Sequence, residues 1–309
     1  MRARFAVAGD WHGNTQAARA AVRTLRDHGI TNLLHVGDLA VRWPGPKKGR
    51  FDSRLEQQLA DAGIRMLFID GNHDNHLELR ELPSQPDGTR RLSDHISYIP
   101  RGAVLDIGGL RVGGLGGAFS VDRQWRTEGK DLWADLEEPT EEEAARLIAA
   151  GPVDILLFHD APACFRGLES KFNLPQAVAA HATRTRELLQ GVLEAMRPKA
   201  VFSGHWHQRR THTAQWPDGT STQLHALADD SSWAGNLVEV RAHDSGAVEV
   251  LPLVVGSKPQ RDPEEEAPYA QTLAQVPQVT LDRPSVEILD EMRQDRIGGL
   301  GAEDPHREE

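Results

Sequence analysis

Residues 5–8, 33–36, 66–69, 155–158 and 200–202 are short apolar runs that read as buried strands, and each runs straight into a cluster of metal-ligand residues. The clusters are Gly9-Asp10-Trp11-His12-Gly13-Asn14, Gly37-Asp38, Gly71-Asn72-His73-Asp74, His159-Asp160 and Gly204-His205-Trp206-His207. Every cluster therefore falls at the carboxyl end of a strand. In an open α/β sheet that edge is where sites are built, so the pattern constrains both the fold and the position of its chemistry.

The intervening segments support the same class. Residues 15–28 carry alanines with Val22 and Leu25 at helical spacing, closed by Gly29, and residues 52–62 form a second helix ended by Gly63. Repeated β-loop-α units predict a parallel or mixed sheet with helices packed on it. Residues 79–91 read as irregular. Residues 103–107 and 110–114 then flank Gly108-Gly109, a two-residue connection suited to a tight hairpin. Gly113, Gly114, Gly116 and Gly117 crowd the next stretch, where backbone can approach closely. A helix over 140–150 has Thr140 as its N-cap and Glu141, Glu142 and Glu143 in its electropositive first turn. Residues 161–182 are expected to be an irregular insertion, followed by a helix over 183–196. Three β runs, 223–227, 236–241 and 248–253, predict a second sheet with antiparallel character.

With 309 residues, 39% of them hydrophobic, the chain has enough apolar surface for a sizeable core. It has no apolar run of membrane-spanning length and no signal-peptide core behind Met1, which gives an expectation of a cytoplasmic protein without membrane contact. Cys164 is the only cysteine, so no intramolecular disulfide can form, and metals must be held by His, Asp and Asn. Cys164 itself is expected to be a small packed residue. The net charge of −11 is concentrated at one end: from Ser257 onward 6 Lys/Arg face 13 Asp/Glu, which leaves −4 on residues 1–256. A mildly acidic main domain lacks the basic balance needed to grip extended nucleic acid. Residues 257–309, with Pro259, Pro263, Pro268, Pro277, Pro284 and Glu264-Glu265-Glu266, read as a solvated tail beyond a domain of residues 1–256. Within the tail, Val286, Leu289 and Met292 recur at helical spacing. A short amphipathic helix over 285–296 could dock on the domain or on a protein partner.

Asp10 and His12 stand two residues apart, as do His205 and His207. In extended backbone that spacing puts each pair on one side of the chain, where its side chains can converge on an ion. Taken singly, each cluster has an ordinary explanation as a turn or a helix cap. Together they would require five coincidences, all at strand carboxyl ends. Asp74 and Asp160 are candidates for orienting neighbouring imidazoles. His35, His76, His95, His212 and His225 match no motif and read as structural or exposed.

The order Asp-x-His, Gly-Asp, Gly-Asn-His-Asp, His, Gly-His-x-His resembles the calcineurin-like metallophosphoesterase superfamily over about residues 4–254. The resemblance implies a four-layer α/β/β/α sandwich of two mixed sheets and two divalent metal ions. Carried onto this chain, it implies that Asp10, His12 and His207 hold one metal, Asn72, His159 and His205 the other, and that Asp38 bridges them. It also implies that His73 contacts the substrate phosphate and protonates the leaving group. Two cations roughly 3.5–4 Å apart can acidify a shared water and direct it at phosphorus. The mixed nitrogen and oxygen donors suit Mn²⁺, favoured here, or Fe or Zn²⁺.

The opening Gly-Asp-x-His-Gly resembles the diadenosine-tetraphosphatase and serine/threonine-phosphatase branches, but no Asp-Arg-Gly follows Gly37-Asp38, and Asp74 stands where those branches carry Glu. The stretch from Gly116 to Arg123, with Asp160-Ala161-Pro162, is more similar to small bacterial and phage members. Hydrolysis of a phosphomonoester or phosphodiester on a small or nucleotide-like substrate is therefore expected. Arg123, Arg126, Arg166 and Arg209 are candidate phosphate contacts, and Phe165 and Trp11 candidate base-stacking rings. The rival readings are a nuclease acting on single-stranded nucleic acid and a non-catalytic scaffold on the same fold.

Overall fold

The computed structural model describes residues 2–168 and 175–256. The tail from residue 257, with the helix expected over 285–296, lies outside the described residues.

The chain opens with β1 (Ala3–Ala8), α1 (Thr15–Asp27), β2 (Asn32–His35), α2 (Arg50–Ala62) and β3 (Arg65–Phe68). It continues through α3 (His76–Glu81), β4 (Arg90–Arg91), β5 (Ile96–Tyr98), the hairpin β6 (Ala103–Ile107) and β7 (Leu110–Leu115), then α4 (Ala134–Glu137), α5 (Glu141–Ala149) and β8 (Ile155–Phe158). The last part comprises α6 (Gln176–Met196), β9 (Ala200–Ser203), β10 (Arg210–Gln215), β11 (Ser221–Ala226), β12 (Ala234–Ala242) and β13 (Val248–Val254).

Two mixed sheets result, ordered β13-β12-β1-β2-β3-β5-β4 and β10-β11-β9-β8-β7-β6. Strand alternation explains the four layers. On β1, Phe5 and Val7 join Val112, Ile155, Leu157, Phe202 and Val240 in a core between the sheets. Ala6 and Ala8 face the other way and pack with Val22 and Leu25 of α1 and Leu55 and Leu59 of α2. On the second sheet Leu156, Phe158 and Val201 face Leu147 of α5 and Leu189 and Leu193 of α6. The α/β/β/α sandwich expected from the sequence is thus present.

Local chemistry accounts for several boundaries. Thr140 caps α5 through a reciprocal capping box with Glu143. Gly108 and Gly109 both adopt positive φ, at 62° and 80°, as a two-residue hairpin turn with the right twist requires.

Three expectations need correction. The segment 161–182 is not irregular throughout, because α6 already starts at Gln176; its first turns, Gln-Ala-Val-Ala-Ala-His-Ala, are rich in strong helix formers. The stretch 79–91 lies partly in α3 and ends in the short edge strand β4. The three late β runs do not form a sheet of their own. β11 lies parallel to β9 in the second sheet, while β12 extends the first sheet antiparallel to β1 and β13 pairs antiparallel with β12 at its edge. The hairpin partner that draws β11 away is β10, whose residues are almost all exposed, so it carries no apolar signal.

No helix among the described residues is long and apolar enough to cross a membrane.

Candidate metal centre

β1, β2 and β3 run parallel in one sheet, and β7, β8, β9 and β11 in the other, so the loops after these strands share one edge of the sandwich. The backbone there turns sharply. Asp10, His12, Asp38, His205 and His207 have φ of 53°, 48°, 54°, 64° and 52°, a left-handed conformation that Asp and His tolerate better than most residues. Asp10 and His12 therefore converge through left-handed residues and not, as expected, on one side of extended chain, while the left-handed His205 and His207 send one ring toward His159 and the other toward Asp10.

One ligand atom from each of Asp10, His12, Asp38 and His207 lies within 4.8 Å of the others. His12 Nδ1 faces Asp230 Oδ1 at 3.3 Å, and its Nε2 faces Asp38 Oδ2 at 3.4 Å. His207 Nε2 stands 3.7 Å from Asp10 Oδ1. The other oxygen of Asp38 looks elsewhere: Oδ1 lies 3.3 Å from His159 Nε2 and accepts from His73 N at 2.8 Å. His159 donates Nδ1–H to the Val36 carbonyl at 2.7 Å, which leaves Nε2 facing Asn72 Oδ1 at 3.1 Å. The His205 ring packs edge-on against His159, with centroids 5.2 Å apart. The structure thus brings Asp10, His12, Asp38 and His207 into one cluster, with His159, Asn72 and His205 beside it.

The donor set fits cations. Asp10 Oδ2 is buried and has no hydrogen-bond partner among the described residues. Gly204 and Gly71 leave room for carboxylates, since a Cβ on the first would strike Asp10 Oδ2 and on the second Asp38 Oδ1. Burial pushes Asp10 up to about 7, with His159 opposing and Asp38 adding to the rise. Burial alone would lower His12 and His159. The carboxylates of Asp230 and Asp38 instead hold His12 raised to about 10, and Asp38 holds His159 raised to about 9. Without a cation, protons on these imidazoles separate the crowded lone pairs. A bound metal would take their place.

His73 lies between two carboxylates, with Nδ1 3.1 Å from Asp38 Oδ2 and Nε2 3.1 Å from Asp122 Oδ2. Asp74 faces neither group of ligands. It accepts from Gly71 N at 2.8 Å and Val41 N at 3.0 Å, pinning the loops after β2 and β3 together. Asp160 accepts from Trp206 Nε1 at 2.7 Å and so fixes the turn that carries His205 and His207.

Of the four arginines, Arg126 is buried and bound to Ser120 Oγ, Asp122 and Glu137, so it has nothing to offer a substrate. Its role is structural: Ser120 Oγ also accepts from Asn72 Nδ2 at 3.0 Å, which orients the Asn72 carbonyl oxygen toward His159. Arg209 is directed to the carbonyls of Arg210 and Ala226. Arg166 is exposed, and no contact brings its guanidinium to the ligands. Arg123 lies over the Phe119 ring at 4.0 Å, bonds Glu138, and directly follows Asp122 in the chain. Phe165 and Trp11 are both buried, so neither can stack on a base. Trp11 instead packs edge-on against His35 and donates Nε1–H to Asn236.

Several supporting residues had no sequence signal. Asp230 braces His12 and also accepts from Asn14 Nδ2 at 2.7 Å, while Asp229 lies 3.6 Å from His207 Nδ1. Asn236 completes the frame, together with Ser120 and Asp122 from the Gly116–Arg123 stretch already singled out in the sequence. The parallel placement of β11, which brings Asp229 and Asp230 to the site edge, was the missing information.

A two-sheet sandwich with imidazoles, carboxylates and a carboxamide gathered at one edge defines a candidate metal-binding protein. The family profile for calcineurin-like phosphoesterases matches residues 3–209, and the chain belongs to that family. It is 26% identical over 223 residues to the lariat debranching enzyme of Schizosaccharomyces pombe, a match that covers 64% of this chain and 44% of that protein. The chain therefore spans less than half of that relative. The crystal structure of TT1561 of Thermus thermophilus shares the fold, with a TM-score of 0.52 and 16% identity over 81% of this chain and 98% of that one.

Proposed function

We propose that this protein hydrolyses a phosphoester, a monoester or a diester of small or nucleotide-like character, at a dinuclear centre. Asp10, His12 and His207 would hold one cation and Asn72, His159 and His205 the second, with Asp38 available to both. The observation that carries this reading is the division of one carboxylate: Asp38 Oδ2 faces His12 Nε2 at 3.4 Å, while Asp38 Oδ1 faces His159 Nε2 at 3.3 Å. A pair of cations so placed supplies an acidified water and charge neutralisation at phosphorus. The chain's own residues prepare for both. Asp230 and the Val36 carbonyl hold His12 and His159 in the tautomers that present Nε2. His73, steadied by Asp38 and Asp122, holds the proton it delivers to the leaving oxygen. The similarity to a debranching enzyme supports catalysis over a scaffolding role. Mixed imidazole, carboxamide and carboxylate donors make Mn²⁺ the first ion to test, beside Fe²⁺ and Zn²⁺.

The test is Asp38→Asn, with metal content and bis-p-nitrophenyl phosphate turnover measured together. Wild type should bind about two Mn²⁺ per chain. The variant should lose at least one and hydrolyse at least ~100-fold more slowly, the size of effect seen when a group stabilising transition-state charge is removed. A variant that keeps the wild-type rate would refute the shared-carboxylate centre.

A further inference from the structure

The loop between β11 and β12 carries an aromatic ring that neither the core nor the proposed chemistry uses. Trp233 is 52% exposed, whereas Trp11, Trp43, Trp133 and Trp206 are buried. Its indole makes no hydrogen bond, ring contact or cation contact with another described residue. A tryptophan has more apolar surface to bury than any other side chain, so half-exposure on an ordered loop calls for a reason.

The loop is ordered by its own bonds. Ala228 N donates to Gly235 O at 2.9 Å and closes the base. Asp229 Oδ1 accepts from Ser231 N at 3.2 Å and Ser231 Oγ at 2.7 Å, and Val255 N donates to Trp233 O at 2.9 Å. The same loop is fastened to the metal centre. Asp230 N donates to Asp10 O at 3.0 Å, Asp230 Oδ1 faces His12 Nδ1, and Asp229 Oδ2 faces His207 Nδ1. Three residues of chain reach no further than ~11 Å, so the Trp233 backbone lies within that distance of Asp230.

We propose that Trp233 is a stacking platform for a nucleobase of the substrate, placed so that the base rests on the indole while its phosphate lies at Asp38. The proposal rests on the phosphoesterase reading and narrows its substrate to nucleotide esters. Stacking suits this position because every base offers a π-face, and a rigid ring pays little entropy to receive it. A protein partner fits less well. A stable protein interface engages on the order of 20–30 residues a side, and among the described residues the only other exposed large hydrophobic nearby is Val254, cross-strand from Ala234.

Two esters with the same leaving group test the assignment in the full chain with Mn²⁺: thymidine 5′-(p-nitrophenyl phosphate) and methyl p-nitrophenyl phosphate. The wild-type preference for the nucleoside ester, as a ratio of kcat/KM values, should fall about 5- to 150-fold in Trp233→Ala, the range one stacked base provides, and largely return in Trp233→Phe. AMP binding, read by calorimetry without turnover, should weaken by a similar factor in Trp233→Ala and recover in Trp233→Phe. A preference and an AMP affinity that Trp233→Ala leaves unchanged would overturn the platform. If wild type cleaves neither diester, the diesterase form of the phosphoesterase reading fails, and the AMP measurement still decides the platform.

Discussion

Replacing Asp230 with Asn removes one charge from a buried network and keeps its shape. Asp230 Oδ1 lies 3.3 Å from His12 Nδ1, and Oδ2 accepts from Asn14 Nδ2 at 2.7 Å, with the side chain fully buried. Hydrogen bonds to a buried charged group are worth ~1.5–3 kcal/mol each, and losing a partner that orients a metal-bound imidazole costs about 10–100-fold in metal affinity. That range corresponds to about 1.4–2.8 kcal/mol. Protons oppose part of the effect. In the metal-free protein His12 is raised to about 10, chiefly through Asp230 and Asp38 acting against burial, so a cation must displace a proton at any lower pH. Asp230→Asn weakens that competition as well as the orientation. The ratio of variant to wild-type Kd should therefore grow as pH rises toward 10, and Mn²⁺ titration calorimetry at pH 8 and pH 9.5 measures it. Helix α1 stays capped, because Asn14 Oδ1 still accepts from Gln16 N and Ala17 N. Thermal unfolding of the apo variant checks this. If Asp230→Asn binds Mn²⁺ within twofold of wild type at both pH values while His12→Ala loses the site, Asp230 does not hold His12 in place.

Arg126→Met should destabilise the fold by about 3–5 kcal/mol in urea unfolding, because Glu137 would be left buried with its charge unpaired; the double change Arg126→Met, Glu137→Leu should recover most of the loss. A single-variant cost below ~1 kcal/mol would contradict that account. Asp70 supplies the clearest pH dependence. Burial alone would raise its carboxyl, but Arg101 and the hydrogen bonds around it hold it far below the usual range. A depressed carboxylate contributes stability that is fully present above its unfolded value of ~3.9 and is lost as pH falls toward the folded value. The urea midpoint should accordingly drop between pH 4 and pH 2, and Asp70→Asn should flatten that drop; an equal slope in the variant would assign the acid sensitivity to other groups.

Strands buried on both faces were legible because nothing else produces short apolar runs between polar loops, and the ligand clusters were legible because each directly follows such a run. Edge strands were not. β10 exposes almost every residue, so it left no apolar trace, and without it the partner of β11 was misassigned. Asp229 and Asp230 were invisible for that reason: an Asp-Asp pair followed by serines looks like an ordinary turn until β11 is known to end at the site edge. The arginines failed differently. Arg126 has the same local sequence appearance as an exposed substrate contact, and only the fold shows that Glu137 and Ser120 occupy its donors.

The conformation of the ligands shows how the site is held ready. Among the described residues eight non-glycine positions have positive φ, and five of them are proposed ligands. Each such residue costs on the order of 1–3 kcal/mol and persists only where its surroundings over-determine it. Here the loops restrain one another. Asp10 N donates to Gly37 O at 3.1 Å, His12 N to Asp38 O at 2.8 Å and Gly13 N to Leu39 O at 3.2 Å, while His205 N donates to Asp10 Oδ1 at 2.8 Å. The turns after β1, β2 and β9 thus form as one bonded unit spanning both sheets. The strain is met when the chain folds, so a metal ion binding at the candidate site would find the loops already ordered.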